Sequence, residues 1–186
     1  MNNKHYQTER LILRPWYESD KAEFARINSD IRVMEFFPEQ YTEERSHQMV
    51  AECTRRLAKD GFTFWALERK DSNTFIGFVG LTTFEADLPF SPCVEIGWRL
   101  AFEHWGQGFA TEAARFCLTL GFTEFSLEKI VSFTALANTR SRRVMESIGM
   151  IDTAKNFLHP SVDSASGLQE HCLYEVINCE LSVNED

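Results

Sequence analysis

The chain has 186 residues, enough for one domain with a sizeable hydrophobic core, and we expect a single domain over residues 1–186. Hydrophobic residues make up 44% of the sequence and aromatic residues 13%, which is typical of a packed globular protein and not of a disordered one. The net charge of −9 argues against nucleic acid as the main ligand and is compatible with a cationic substrate.

The first half of the chain predicts a strand, two helices and a pair of strands. Residues 8–14 alternate apolar side chains, which favours a first strand. Asp20, three residues before Glu23, resembles a capping box and predicts the start of a helix. Thr42 predicts the cap of a second helix and Gly61 its end. Two strands joined by a turn follow, at residues 63–69 and 75–84.

The second half predicts strands that alternate with helices. Residues 93–100 predict a strand with Val94, Ile96, Trp98 and Leu100 on one face. After it come a buried helix over residues 110–121, a strand over 129–135, a helix from Asn138 to Gly149, and two strands, 150–155 and 168–181, that flank a polar loop at 156–167. This order predicts an α+β fold with helices laid on a largely antiparallel sheet.

The sequence carries no sign of secretion or of a membrane span. No apolar run approaches the eighteen or so residues that cross a bilayer, and residues 1–6 lack an apolar signal region. We therefore expect a cytoplasmic protein that does not contact a membrane. The cysteines have no C-x-x-C spacing, so we expect reduced side chains and no metal site. They are Cys53, Cys93, Cys117, Cys172 and Cys179.

A glycine-rich turn joins the strand at 93–100 to the helix after it. The tract runs Trp105-Gly106-Gln107-Gly108-Phe109-Ala110-Thr111-Glu112-Ala113. Glycines let a backbone turn tightly and approach a ligand closely. The first amides of a helix are unpaired and lie at its positive end. We therefore expect the amides of residues 106–111 to bind a pyrophosphate.

Two common phosphate-binding motifs do not fit this tract. A Walker A loop needs Lys and then Ser or Thr after its last glycine, whereas Phe109 and Ala110 follow here. A Rossmann fingerprint needs an acidic residue at the end of the next parallel strand, whereas Glu128 precedes that strand.

The tract resembles the GNAT acetyltransferase signature, Gln/Arg-x-x-Gly-x-Gly/Ala. It is most similar to the branch of ribosomal-protein N-terminal acetyltransferases, where Trp-Gly-x-Gly-x-Ala-Thr-Glu-Ala is typical. One departure is Trp105, which stands where the wider signature has Gln or Arg and weakens the case for a side-chain phosphate contact there. The resemblance implies the GNAT fold, a mixed and largely antiparallel sheet with helices on both faces. It covers nearly the whole chain, through residues 8–14, 75–77, 94–98 and 138–146.

The resemblance also implies where acetyl-CoA binds. The cosubstrate would lie in a V-shaped opening between the strands at 93–100 and 129–135. Its pantetheine amides would pair with the exposed strand edge at Ile96, Gly97 and Trp98. As an alternative or in addition, Gly97 marks a bulge in that strand.

Four residues of the segment 138–146 are further candidates for contact with acetyl-CoA. Asn138 is predicted to cap its helix, and in the family the same position tends to touch the cosubstrate. Arg140, Arg142 and Arg143 form the densest basic cluster of an acidic chain. Such a cluster is usually a solvated face; the resemblance suggests a role at the 3′-phosphate of CoA, and we select Arg143 for it.

Direct acetyl transfer needs a neutral amine, a donor for the tetrahedral oxyanion and an acid for the departing thiolate. Glu95 is the candidate base, and a solvated carboxylate is the alternative. An α-amine with a pKa near 8 is partly neutral at pH 7, so a strong base is not required. Ser141 is the candidate acid, because related enzymes place a hydroxyl in this region; the alternative is an ordinary first-turn serine. A backbone amide of residues 95–98 is the candidate oxyanion donor.

The candidate acceptor site comprises Glu35, Phe36 and Phe37 together with the loop at 156–167; a core contact and a plain surface loop are the alternatives. Acidic residues are sparse there, whereas a polyamine needs several carboxylates. We therefore expect the acceptor to be the N-terminal α-amine of a protein, such as a ribosomal protein. The alternatives are a small-molecule amine acetyltransferase and a non-catalytic acetyl-CoA-binding module. Either a monomer or a homodimer is expected.

Overall fold

The computed structural model describes residues 4–85 and 87–178, and its nine strands form one sheet. The order across the sheet is β1-β2-β3-β4-β5-β6-β9-β7, and β8 also pairs with β9. Neighbouring strands are antiparallel except β5 and β6, which are parallel. The strands are β1 (Tyr6–Gln7), β2 (Leu11–Arg14), β3 (Phe64–Arg69), β4 (Thr74–Phe84), β5 (Cys93–Leu100), β6 (Lys129–Ala135), β7 (Ile151–Asp152), β8 (Phe157–Leu158) and β9 (Glu170–Ile177).

Helices cover both faces of the sheet. One face, which includes Ile96 and Leu100, packs against α3 and α4, and the other, which includes Ala66 and Phe78, packs against α1 and α2. The predicted α+β architecture with helices on both faces is therefore confirmed. No helix in the described residues is both long and apolar enough to cross a membrane. The helices are α1 (Asp20–Ser29), α2 (Glu43–Asp60), α3 (Phe109–Thr123) and α4 (Thr139–Ser147).

The ends of α2 and the start of α1 lie where they were predicted, but the capping box predicted at Asp20 is absent. The Thr42 side chain accepts a hydrogen bond from the amide of Arg45 at 3.1 Å, and Gly61 ends the helix in a left-handed conformation with φ of 81°. Asp20 begins α1 but forms no capping box. Its carboxylate is buried and accepts two hydrogen bonds from the Arg14 guanidinium, at 2.7 and 2.9 Å. The capping prediction is wrong because this buried partner takes the carboxylate.

Three predicted segments differ from the observed strands. Residues 8–14 are not one strand, because the chain turns before β2 and Tyr6 pairs opposite Leu13. The loop at 156–167 is not wholly polar, because β8 pairs with β9 and buries Phe157. The strands predicted at 150–155 and 168–181 are shorter as β7 and β9, and residues 179–181 of the latter lie outside the described residues.

The cysteines agree with the expectation of reduced side chains as far as they are described. Cys53, Cys117 and Cys172 are free and buried, and Cys93 is free and half-buried. Cys179 lies outside the described residues.

Candidate active site

Strands β5 and β6 separate soon after they meet. Glu95 pairs opposite Val131, and the Ser132 hydroxyl donates a hydrogen bond to the Ile96 carbonyl at 2.9 Å. On its other side β5 stays paired with β4 as far as Leu100. The two parallel strands therefore diverge beyond Ile96 and leave a V-shaped gap there. The Ile96 carbonyl is already bonded to Ser132, so the predicted pantetheine contact at Ile96 can involve only the other atoms of that residue. The open edge of β5 begins at Gly97 and continues through Trp98.

Gly97 is not a bulge. The register between β4 and β5 is regular along the whole pair, and the nearby irregularity is a register shift between β3 and β4, where Leu67 pairs with Gly77 and Glu68 with Phe75. A Cβ atom at Gly97 would lie 3.1 Å from the ring of Phe64. A side chain at this position would therefore have to displace the Phe64 ring, and the regular register shows that the bulge alternative is wrong.

The glycine-rich turn exposes backbone donors as predicted. Gly106 and Gly108 have φ of 70° and 80°, left-handed conformations that favour glycine. The first hydrogen bond of α3 runs from the Glu112 amide to the Gly108 carbonyl at 2.9 Å. Among the described residues, no protein acceptor pairs with the amides of residues 106–111. These amides lie at the positive end of α3, where an anion is stabilised.

The segment at residues 8–10 holds this turn in shape. The Arg10 guanidinium donates to the Gln107 carbonyl at 2.9 Å and to the Glu112 carboxylate at 2.6 Å. The Thr8 hydroxyl donates to the same carboxylate at 2.5 Å. Two segments that carry the family resemblance therefore touch each other, a contact that we did not predict from the sequence.

The side chains of Trp105 and Gln107 in the turn form hydrogen bonds within the protein. The Trp105 indole donates to the Leu100 carbonyl at 2.9 Å, and the Gln107 amide donates to the Glu103 carbonyl at 3.0 Å. Trp105 therefore anchors the turn to the end of β5. What the turn presents outward is its backbone, which fits the departure from the wider GNAT signature at Trp105.

Asn138 caps α4 and orients Ser141. The Asn138 side chain accepts a hydrogen bond from the Ser141 amide at 3.2 Å and donates one to the Ser141 hydroxyl oxygen at 3.1 Å. Since that oxygen accepts from Asn138, the hydroxyl proton has no acceptor within the described part of the chain and is free to be donated. Ser141 also lies in the first turn of α4, where the helix dipole favours a nearby anion such as a thiolate.

The three arginines of the basic cluster point in different directions. Arg142 donates to the Tyr174 hydroxyl at 3.3 Å, on the far side of α4. Arg140 forms an ion pair with Glu35. Arg143 is exposed and has no ion pair among the described residues. The three do not form one phosphate site, because two of them have protein partners, and Arg143 remains the candidate.

The predicted acceptor residues lie on the connection between α1 and α2. Glu35 pairs with Arg140, whose guanidinium also lies 5.2 Å from the centre of the Phe36 ring. The Phe37 ring lies 4.3 Å from the guanidinium of Arg99 on β5. This connection therefore contacts both the start of α4 and the strand that lines the gap.

Glu95 lies where β5 and β6 part, on the face that packs against α1 and α2. Strand alternation puts its side chain on the opposite face from Ile96, the same face as Gly97 and the Arg99 side chain. The carboxyl is half-buried and has no ion pair within the described residues. Burial raises the pKa of Glu95 to about 8. Near neutral pH this carboxyl can therefore take up and release a proton.

An aromatic cluster, which was not predicted from the sequence, lies on the same face beyond Glu95. The Phe133 ring lies 5.6 Å from Phe90 and 5.8 Å from Phe157, and the rings of His159 and His171 are 5.0 Å apart. Burial lowers the pKa of both histidines, which favours their neutral form. The cluster fixes the predicted acceptor loop against the face that carries Glu95. The alternation of side chains along β6 could have predicted that Phe133 lies on this face of the sheet.

These features define an acyltransferase site, and comparison with known proteins identifies the family. Residues 10–151 match the family described as Acetyltransferase (GNAT) domain. The chain belongs to the GNAT acetyltransferases. The fold, the family and the N-acetyltransferase class predicted from the sequence are thereby confirmed.

The similar proteins span most of the chain. The uncharacterised YkkB of Bacillus subtilis (strain 168) is 32% identical over 144 residues, 77% of this chain and 83% of that protein. A GNAT-family acetyltransferase from Bacillus anthracis has 26% identity and a TM-score of 0.78 over 94% of this chain and 99% of its own. The ribosomal-protein-S5-alanine acetyltransferase of Vibrio fischeri has 20% identity and a TM-score of 0.72 over 94% and 97%, which shows a shared fold.

Proposed function

We propose that the chain transfers the acetyl group of acetyl-CoA directly to the α-amine of a protein N-terminus. The observation that carries the proposal is the position of Glu95 at the parting of β5 and β6, with a pKa raised to about 8 by burial. A carboxyl at this position can take the proton of an amine that enters from the side of α1 and α2.

The residues fit acetyl-CoA as the acetyl donor. The amides of residues 106–111 have no partner among the described residues and lie at a helix N-terminus, as pyrophosphate binding requires. The open edge at Gly97 and Trp98 supplies strand hydrogen bonds for the amides of pantetheine. Arg143 is exposed on the helix after the gap and is the candidate for the 3′-phosphate.

The reaction then follows from three groups. Ionised Glu95 accepts the proton of the attacking amine, and the amine nitrogen forms a bond to the thioester carbonyl carbon. A backbone amide of residues 95–98 stabilises the oxyanion that results. The carbon–sulfur bond breaks, and Ser141 donates its proton to the departing thiolate while it takes up a proton from water.

The lower pKa of an α-amine favours it over a lysine as the amine that Glu95 deprotonates. An α-amine has an ordinary pKa of about 8, close to that of Glu95, whereas a lysine side chain has about 10.4. Deprotonation of lysine by Glu95 would therefore be about 3 kcal/mol less favourable. The Vibrio fischeri protein of the same fold is named for an S5 alanine, which also supports an N-terminal acceptor.

The two carboxylates of the predicted acceptor site already have partners within the protein, which argues against a polyamine. Glu35 is paired with Arg140, and Asp163 in the predicted acceptor loop accepts a hydrogen bond from the Ala165 amide at 2.9 Å. A polyamine needs several carboxylates to match its ammonium groups.

The cytoplasmic location, and the choice between monomer and homodimer, stay predictions.

The test is release of free CoA thiol with three sets of amines. We expect short peptides with a free N-terminus to react faster than spermidine or an aminoglycoside, and N-blocked peptides with a lysine to be inert. Equal rates for the N-blocked peptides would refute the α-amine proposal, and a clear preference for a polyamine would favour the small-molecule alternative. Binding of acetyl-CoA without thiol release in any set would favour the non-catalytic alternative.

A further inference from the structure

Arg99 on β5 differs from the other arginines near the connection between α1 and α2. Four arginines there lie over aromatic rings, and three of them also pair with a carboxylate. Arg99 has no carboxylate partner among the described residues, although its side chain is only 6% exposed. The three pairs are Arg32 with Asp30, Arg45 with Glu39 and Arg140 with Glu35.

The surroundings of Arg99 satisfy its guanidinium only in part. One terminal nitrogen donates to the Asn28 side-chain oxygen at 2.7 Å, while the buried Nε has no hydrogen-bond partner in the part of the chain that the structure describes. The rings of Phe37 and Tyr41 lie 4.3 and 4.9 Å from the guanidinium, and the Tyr41 side chain also interacts with it through its hydroxyl. Aromatic faces attract a cation but do not replace the hydrogen bonds of a carboxylate. The Arg99 guanidinium therefore has a positive charge and an unpaired N–H donor that could bind an oxyanion. The described residues do not provide that oxyanion.

Arg99 and the candidate base share one face of one strand. Four residues separate Arg99 from Glu95, which corresponds to about 13 Å along the strand. Between them, Gly97 has no side chain, and the Phe64 ring covers it. An extended peptide advances about 3.3 Å per residue. With its α-amine at Glu95, an extended peptide would therefore place its fifth residue opposite Arg99, and the length of the two side chains lets a carboxylate at the third or fourth residue reach it as well.

We propose that Arg99 selects the acceptor by binding a carboxylate at the third to fifth residue of the peptide. The inference rests on the proposed transfer to a protein α-amine and adds a sequence preference to it. The rings of Phe37 and Tyr41 cover the guanidinium, so they shift when the carboxylate binds. An acidic acceptor side chain would then supply the counter-ion that the buried cation lacks.

The test uses a set of peptides with a free N-terminus, each with one glutamate at a position from 2 to 7. Each peptide is compared with one that has glutamine at the same position. In the wild type we expect kcat/KM to be at least tenfold higher for glutamate at positions 3 to 5, mainly through KM. In Arg99→Met and Arg99→Gln this preference should disappear, while the acetyl-CoA affinity and the melting temperature stay close to wild type.

Arg45→Met is the matched control, because Arg45 stacks on the same Tyr41 ring at 3.9 Å but is exposed and paired with Glu39. It should keep the glutamate preference. Arg99→Gln serves if Arg99→Met does not fold, because glutamine retains a donor for Asn28. A flat scan in the wild type, or a preference that survives in either Arg99 variant, would overturn the inference while leaving α-amine transfer intact. Failure of the wild type to acetylate any peptide would instead overturn the proposed function, and this inference with it.

Discussion

Replacement of Glu95 by glutamine tests the candidate base through both stability and rate. The folded-state pKa of Glu95 is about 8, compared with an ordinary value of 4.5. Between these two pH values the folded chain keeps a proton that the unfolded chain has lost. The free energy of unfolding therefore falls as the pH rises from about 4.5 to 8, because the unfolded state ionises more easily.

The size of this effect has an upper limit. A difference of about 3.5 pH units between the two pKa values corresponds to about 5 kcal/mol. Since the Glu95 side chain is only half-buried and keeps some contact with water, we expect roughly 1–3 kcal/mol. Glu95→Gln cannot ionise, so it should lose this pH dependence and be more stable than the wild type at pH 8.5.

Urea denaturation at pH 6 and pH 8.5 measures the effect directly. The loss of unfolding free energy between the two pH values should be larger in the wild type than in Glu95→Gln. Glu44→Gln, on the exposed start of α2, is the control and should behave like the wild type. An equal loss in Glu95→Gln and the wild type would refute the raised pKa.

The same variant should change the dependence of rate on pH. In the wild type, kcat/KM should rise with pH through about 8 as Glu95 ionises, and Glu95→Gln should be slower by about a hundredfold. The acceptor amine also ionises near this pH, so two peptides with different α-amine pKa values are compared. The inflection that moves with the peptide belongs to the amine. The one that stays, and that Glu95→Gln removes, belongs to Glu95; if no such inflection exists, Glu95 is not the base.

Two further substitutions separate binding of acetyl-CoA from chemistry. Gly108→Val should weaken acetyl-CoA binding by at least tenfold, about 1.4 kcal/mol, because a β-branched residue at φ of 80° is strained and its side chain would crowd the amides of the turn. Calorimetry checks this against Gly149→Val, which carries the same strain with φ of 86° outside the turn, and an unchanged affinity in a folded Gly108→Val would contradict it. Ser141→Ala should lower kcat with little change in acetyl-CoA affinity, whereas Ser147→Ala on the same helix should not. A normal kcat in Ser141→Ala, with chemistry rate-limiting, would make Ser141 an ordinary helix residue.

The sequence predicted the elements around the gap because their signals are local. Strands β5 and β6 have the predicted bounds, since an alternating or β-branched run ends at clear breaks. The cap at Asn138 and the left-handed glycines of the turn follow from the chemistry of single residues. Family resemblance then supplied the gap between the two strands, which no local pattern contains.

Contacts between distant segments could not be predicted in the same way. Glu112 lies 102 residues from Arg10, and nothing in either segment alone indicates their hydrogen bonds. The capping prediction at Asp20 failed for a different reason: Arg14, six residues earlier, forms a buried pair with Asp20 that competes with the cap. Arg99 was not predicted as a site residue although the bounds of its strand were correct. The alternation in β5 identified only its apolar face, and the aromatic rings around Arg99 come from the distant connection between α1 and α2.

The alternation of β5 separates the two halves of the proposed reaction. Ile96 and Trp98 direct their side chains to the core under α3, and beyond Ile96 the strand offers acetyl-CoA its backbone edge. Glu95 and Arg99 direct their side chains to the face of α1 and α2, where the acceptor is proposed to enter. Backbone contacts are insensitive to side-chain identity. Substitutions on the acceptor face can therefore change which peptide is acetylated without weakening the binding of the acetyl donor.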